Sequence, residues 1–479
     1  MSYESLLQRL EAAEARIQYL EAGGFGEPSE VLPPEKKWYS GFQKLLLAYD
    51  PEVGAAREQL EVQAEAVRRA DELLFEPVDE PVIRGYPRPK VLRWYEKYAL
   101  RGYTQFRDNE VTWHAKHSAP AQHIGDRSVG DSENFFLRRA RLIIQGDVSD
   151  HVYIYLQPDF AVTPPGSSDA TFFVQLRDWY TDIYFDKTQI HRLRVGLSKV
   201  PYGWENMQSS SNRVPLDRND ALNSAVRNER DLGIFYYWTP IYAQQMFRYV
   251  LAENLKGSGN YGVLGLGVYN GQGGAFVEQN NNLHVVGRIT WPYLLENGQI
   301  VELSTQAYTG RYTVLTSDIR PLGGRRVIRP KVINTQGIRD ERIAWTAIWY
   351  PQPIGFQAEW NIGRGPALNP EQTLVEERAL YGGYLMALAK IDTSRCGLFY
   401  PFVRWVYYRG GVKADRNAPF ALIDETELGV EWQIAPAAEL TVQYTFTDRT
   451  NTRATTAAGV VPYRQFVGQL LRFQFQFNY

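Results

Sequence analysis

The last nine residues alternate without a break, Leu471, Phe473, Phe475, Phe477 and Tyr479 against Arg472, Gln474, Gln476 and Asn478. Successive side chains of a strand point to opposite faces, so this segment reads as a strand with one apolar face and one polar face. The same period of two recurs upstream, from Tyr98 onward. It predicts sixteen strands, near residues 98–107, 135–147, 151–160, 172–185, 191–199, 231–238, 262–270, 283–291, 300–310, 342–350, 355–363, 378–389, 398–409, 425–434, 439–447 and 466–479.

The connections carry a second signal. After even-numbered strands they are short, as at Val148–Asp150, Pro351–Ile354 and Ala435–Ala438. After odd-numbered strands they are long, as at 108–134, 200–230, 311–341, 364–377 and 448–465. Long loops on one side and tight turns on the other mark a membrane barrel whose chain enters from the periplasm. A soluble sandwich has no reason to sort its connections by side. Segment 239–261 breaks the rule, being long after an even strand. The expected fold class is all-β: a 16-stranded antiparallel transmembrane β-barrel over residues 98–479, with an N-terminal α-helical coiled-coil extension.

That extension has helical periodicity. Over residues 1–22, Tyr3, Leu10 and Ile17 take heptad position a, and Leu6, Ala13 and Leu20 take position d. Arg9 and Arg16 then fall at g, and Glu14 and Glu21 at e, the positions that pair neighbouring chains in a parallel bundle. This predicts a trimeric coiled coil with Leu6, Leu10, Ala13, Ile17 and Leu20 as oligomerisation residues; a monomeric amphipathic helix is the alternative. Gly23, Gly24, Gly26 and Pro28 end it. Residues 23–97 read as a periplasmic linker holding a second helix, roughly Glu52 to Phe75, before the prolines at 77, 81, 87 and 89.

Composition narrows the reading. Tyrosine (31) and tryptophan (12) are abundant, aromatics reach 14%, and mean hydropathy is only -0.38. A barrel with a wet lumen and aromatic girdles has such values, and no window approaches the ~18 consecutive apolar residues of a membrane helix. The 52 Lys+Arg nearly balance the 54 Asp+Glu, for a net charge of -2. Any electrostatic function therefore rests on where charges sit, and nucleic acid is not an expected partner. Cys396 is the sole cysteine, so no internal disulfide forms. The N-terminus has no basic region followed by an apolar one, so the numbering is read as that of a mature chain.

Lipid penalises charge, at roughly 2–4 kcal/mol for Arg or Lys near the midplane. The polar residue of each alternating strand is therefore expected to face the lumen. The pore-lining candidates are Arg101, Arg139, Arg141, Arg192, Arg194, Arg288 and Arg404, with Glu302, Glu359, Glu427 and Glu431 as an opposing acidic set. The lumen then reads as arginine-rich along early strands and acidic along later ones. Such a field orients solutes, and arginines offer paired donors to phosphate or carboxylate. The alternative is that these charges pair with one another and hold the wall in shape. The polar 200–230 connection, with Arg213 and Arg218, either folds inward or sits on the rim.

Several runs resemble the phosphate-selective porin O and P family: FLRRARLIIQGDVSDHVYIYLQPDF, RLRVGLSKVPYGWE with SSSNRVPLDRNDAL, RDLGI, GVYNG and the closing LLRFQFQFNY. The resemblance covers about Tyr98 to Tyr479. It implies a sixteen-stranded homotrimeric outer-membrane channel with an anion-selective, arginine-lined lumen. It also implies Arg139 and Arg141 near a constriction, Arg213 and Arg218 on an inward loop, and the terminal aromatic strand (Phe473, Phe475, Phe477, Tyr479) as the signal to the barrel-assembly machinery. The sequence departs from the phosphate-selective members in its numerous inward acids, the lack of a lysine cluster at the mouth and its long N-terminal segment.

Two other functions have some support in the sequence. An enzyme needs an activated nucleophile with a base beside it. His114, His117 and His123 share a loop but have no metal-ligand spacing, and His191 and His284 have no evident serine partner. No catalysis, metal or cofactor is therefore expected. The N-terminal coiled coil also suits a structural envelope protein that tethers the outer membrane to the cell wall. The reading favoured by the strands is passive diffusion of small anionic or zwitterionic solutes.

Overall fold

The computed structural model describes residues 97–479, apart from 124, 127–128, 131–134, 163–172, 275, 322, 325, 394, 453–454, 457–458 and 461–463. The expected coiled coil and second helix lie outside the described residues.

Sixteen antiparallel strands form one closed sheet. They are β1 (Tyr98–His114), β2 (Phe135–Ser149), β3 (Val152–Val162), β4 (Phe173–Tyr184), β5 (His191–Lys199), β6 (Arg230–Trp238), β7 (Leu264–Tyr269) and β8 (His284–Leu294). There follow β9 (Ile300–Tyr312), β10 (Ile338–Trp349), β11 (Ile354–Leu368), β12 (Leu374–Ala389), β13 (Gly397–Gly411), β14 (Phe420–Ala435), β15 (Ala438–Thr450) and β16 (Gln465–Asn478). Each pairs with its neighbour, and β1 closes the ring against β16, Tyr103 opposite Asn478. Closure leaves no unpaired edge, which a sheet in lipid requires.

Every strand predicted from the period of two is present. The predicted long loop 364–377 shrinks to residues 369–373, because β11 and β12 stay paired as far as Leu368 and Val375. The backbone of Asn369 and Leu374 and the Asn369 side chain then close the turn. Period two had faded there because the strands outrun the apolar band that imposes alternation.

The barrel is inside-out relative to a soluble domain. Its exposed face carries Leu100, Trp179, Ile234, Leu266, Leu303, Trp345, Phe356, Leu385, Leu428 and Phe477. Its largest fully buried side chains include Arg107, Arg404, Arg449 and Arg472. Aromatic rings stack on the outside, Phe399 on Trp432 at 5.5 Å and Trp360 on Trp405 at 6.2 Å, as amphipathic rings do at a membrane boundary.

Two connections matter for the interior. Residues 200–229 leave β5 at the long-loop end and include the short helices α1 (Trp204–Met207) and α2 (Asp220–Asn223). Residues 239–263 leave β6 at the opposite end and include α3 (Ile241–Ala252).

Candidate functional site in the lumen

The 200–229 connection lies across the inside of the barrel, and most of it is buried. Its own chemistry sets the bend. Asn219 caps α2 through Leu222 N at 2.9 Å, and Asn206 Nδ2 donates to the carbonyls of Tyr202 and Leu222. The wall completes it. Glu359 on β11 accepts from the backbone N–H groups of Trp204 (2.6 Å) and Glu205 (2.9 Å), which α1 cannot satisfy internally. Arg404 on β13 donates to Glu205 (2.5 Å) and to Glu427 (2.5 Å), while Arg449 on β15 binds Asp220 at 2.8 Å. Arg472 on β16 and Arg107 on β1 converge on Asp217, together with Asp126 from the 115–134 loop. Arg342 on β10 donates to Ala221 O and Ser224 Oγ. The loop is thus tied to widely separated parts of the ring.

The 239–263 connection enters from the other end and meets it. Gln208 Nε2 donates to Lys256 O at 2.6 Å, and Asn212 Nδ2 to Gly257 O at 2.8 Å. Lys256 Nζ reaches Glu431 on β14, and Tyr400 OH donates to Asn254 O at 2.8 Å. An extra-long connection after an even strand is explained by this insertion.

A cavity of about 360 Å³ remains between the inserted segments and the early-strand wall. Five cations line it, Arg101, Arg141, Arg194, Lys199 and Arg230, against one carboxylate, Asp178. Three of these cations are paired: Arg141 with Asp159 (2.7 Å), Arg194 with Asp182 (2.7 Å) and Arg230 with Asp178 (2.9 Å). Arg101 and Lys199 have no carboxylate within 4.0 Å among the described residues; Arg101 donates to Gln145, and Lys199 to the carbonyls of Met207 and Gln208. Tyr155 and Tyr180 stack at 5.1 Å beside Arg194, whose guanidinium lies 3.7 Å from the Tyr180 ring centre.

Of the residues singled out from sequence, Arg101, Arg141 and Arg194 line this cavity. Arg139 is buried beside it, donating to Gln105 at 2.6 Å, and Arg192 donates to Asn260 O at 2.6 Å. Arg288 pairs with Glu302 (3.0 Å), and Arg404 with Glu427. Arg213 and Arg218 lie on the inward connection, the first donating to Pro215 and Leu216 carbonyls and the second to Glu229 at 3.0 Å.

The expected split into a basic early wall and an acidic late wall is corrected. Early strands also carry Asp159, Asp178 and Asp182, and late ones Arg449 and Arg472, each ion-paired locally. A buried charge is costly unless paired at close range, so neighbours neutralise each other wherever they can. The phase of alternation already pointed inward for Asp178, Asp182 and Arg472; the register shift in the β3–β4 pairing comes only beyond Asp178. Lys199 lies at the strand end, where alternation says little.

His123, Glu425 and Glu427 bring their ligand atoms within 4.8 Å of one another, a geometry a metal could use. Both carboxylates are already held by guanidiniums, Glu425 by Arg449 and Glu427 by Arg404, so a cation there would compete with two arginines at close range. Burial, reinforced by Arg449, pushes the His123 imidazole down to about 3, and its Nδ1 accepts from Gly125 N at 3.1 Å.

Residues 121–479, most of the chain, match the model of the family described as Phosphate-selective porin O and P. The chain belongs to the phosphate-selective porin O and P family. Membership makes it an outer-membrane porin, and the closed barrel agrees with that role. The solved structures it resembles are distant. OmpT of Vibrio cholerae aligns with TM-score 0.47 at 8% identity, covering 80% of this chain and 97% of its own. DcaP of Acinetobacter baumannii aligns with TM-score 0.47 at 12% identity over 80% and 97%. An anion-selective porin from Comamonas acidovorans gives 0.43 at 12% identity over 80% and 99%. No curated protein matches by sequence.

Proposed function

We propose that this porin passes small hydrophilic anions by passive diffusion, along the space between the inserted segments and the β1–β6 wall. The observation that carries the reading is the charge of that space: five cations against one carboxylate, with Arg101 and Lys199 left without a carboxylate partner among the described residues. A lumen cation lacking a counter-charge favours a passing anion, and weak, serial contacts let that anion leave again. The residues that carry selectivity on this reading are Arg101 and Lys199 rather than Arg139 or the paired Arg141. Transport needs no chemistry, and the lumen's charged groups serve as wall and filter rather than as catalysts.

The working unit is a homotrimer of parallel pores. Its N-terminal heptads hold the three chains together, the barrel faces lipid, and the terminal aromatic strand directs assembly. Liposome swelling tests the transport reading: anionic solutes enter faster than cationic ones of equal size. Equal rates for both signs would refute it.

A further inference from the structure

The cavity is built for more than charge. Arg141, Arg194 and Arg230 are already occupied by Asp159, Asp182 and Asp178, so they offer an anion less than a bare arginine row would. What remains unspent is a mixed set. The phenols of Tyr180 and Tyr261 face the cavity and make no hydrogen bond among the described residues. Asp178 uses Oδ2 on Arg230 and keeps Oδ1 without a hydrogen bond. Lys199 spends two of its three N–H groups on the carbonyls of Met207 and Gln208 and keeps one. Arg101 is exposed at the wall, with one long contact to Gln145 at 3.4 Å.

At neutral pH a phosphate ion has only one or two P–OH groups to donate and packs its charge into a small volume, so most of its surface meets the free Asp178 oxygen with repulsion. A hydroxyl both donates and accepts, so it satisfies Asp178 and a tyrosine together. One anionic group suits the two cations without carboxylate partners, and the volume of about 360 Å³ exceeds what a bare phosphate fills. The stacked Tyr155 and Tyr180 add an apolar wall for the carbon skeleton.

We infer that the cavity selects small polyhydroxylated anions, sugar acids or sugar phosphates, with the anionic group toward Arg101 and Lys199 and the hydroxyls toward Asp178, Tyr180 and Tyr261. The inference rests on the anion-diffusion reading above.

Single-channel recording of the full-length porin in potassium chloride tests it, with glucuronate, glucose 6-phosphate, inorganic phosphate and glucose added in turn. Glucuronate, glucose 6-phosphate or both interrupt the current at lower concentration than either phosphate or glucose; comparing the first two identifies which anionic group is preferred. In the double variant Y180F/Y261F, loss of two neutral hydrogen bonds weakens that block roughly tenfold. Phosphate blocking as well as both sugar anions would overturn the inference, as would an unaltered block in the double variant. The reversal potential of the same channels reads the underlying anion preference separately. Anion selectivity with no sugar-anion block therefore sinks only the inference, whereas cation selectivity sinks both.

Discussion

Gln208 donates from its amide to the carbonyl of Lys256 at 2.6 Å, joining a segment that descends from one end of the barrel to one that rises from the other. Lys256 is fixed in turn by Glu431 on β14, and its ammonium lies 4.4 Å from the Tyr400 ring centre. Replacing Lys256 by Met keeps much of the side-chain volume but leaves Glu431 buried without its partner, a loss of order 3–5 kcal/mol when a buried pair is broken. The expected outcome is a released junction, seen as higher and noisier single-channel conductance. A trace indistinguishable from the parent would show that the junction does not set the pore.

Arg472 → Ala is expected to be more damaging to the loops than to the barrel. Arg472 bridges Asp126 and Asp217 at short range, so its removal leaves them Arg107 and, at 3.8 Å, the half-buried Arg138. The cost is again about 3–5 kcal/mol, felt where the 115–134 and 200–229 connections meet. Limited proteolysis should cut these connections faster, while the strands keep the heat-modifiable migration of an intact barrel. Loss of the barrel itself would contradict this assignment.

Acid should loosen the same region through His123. Its folded value lies near 3, below the ordinary 6.5, because burial and Arg449 disfavour the imidazolium. The unfolded loop binds the proton more readily, so stability present at neutral pH is lost as pH falls from about 6.5 toward 3. At about pH 5 the loss is about 2 kcal/mol. Protease sensitivity of the 115–134 connection should rise between pH 7 and pH 5 in the parent and rise less in His123 → Leu. Equal pH dependence in both would exclude this histidine.

Gly102 → Val should impair closure of the ring. Its N–H donates to the carbonyl of Tyr479 at 2.5 Å and its carbonyl accepts from Tyr479 N at 3.0 Å. A β-carbon there would sit 2.4 Å from the Arg141 carbonyl and 2.5 Å from the Tyr479 ring. Overpacking of this kind costs typically about 1–3 kcal/mol. The yield of folded barrel in outer membranes should fall, and normal yield would show that the terminal residue tolerates displacement.

The fold was legible because lipid imposes a strict rule. Phe473, Phe475 and Phe477 meet the bilayer and Arg472, Gln474 and Gln476 the lumen, and the other strands follow that pleat across the apolar band, apart from local bulges. The lumen was less legible. Alternation says that Arg141 faces inward, yet its partner Asp159 lies on the next strand, and pairing across strands depends on register and bulges. The crossing of the 200–229 connection depends on contacts such as Glu359 with the N-terminus of α1, which join residues far apart in sequence. Nothing local in Lys256 announced that it would meet Gln208.

The most direct measurement is the reversal potential across a planar bilayer separating unequal potassium chloride solutions. The parent channel should give the sign of an anion-preferring pore, and R101Q/K199M should bring it close to zero. Cation preference in the parent, or a double variant with unchanged reversal potential, would contradict an anion path along the β1–β6 wall.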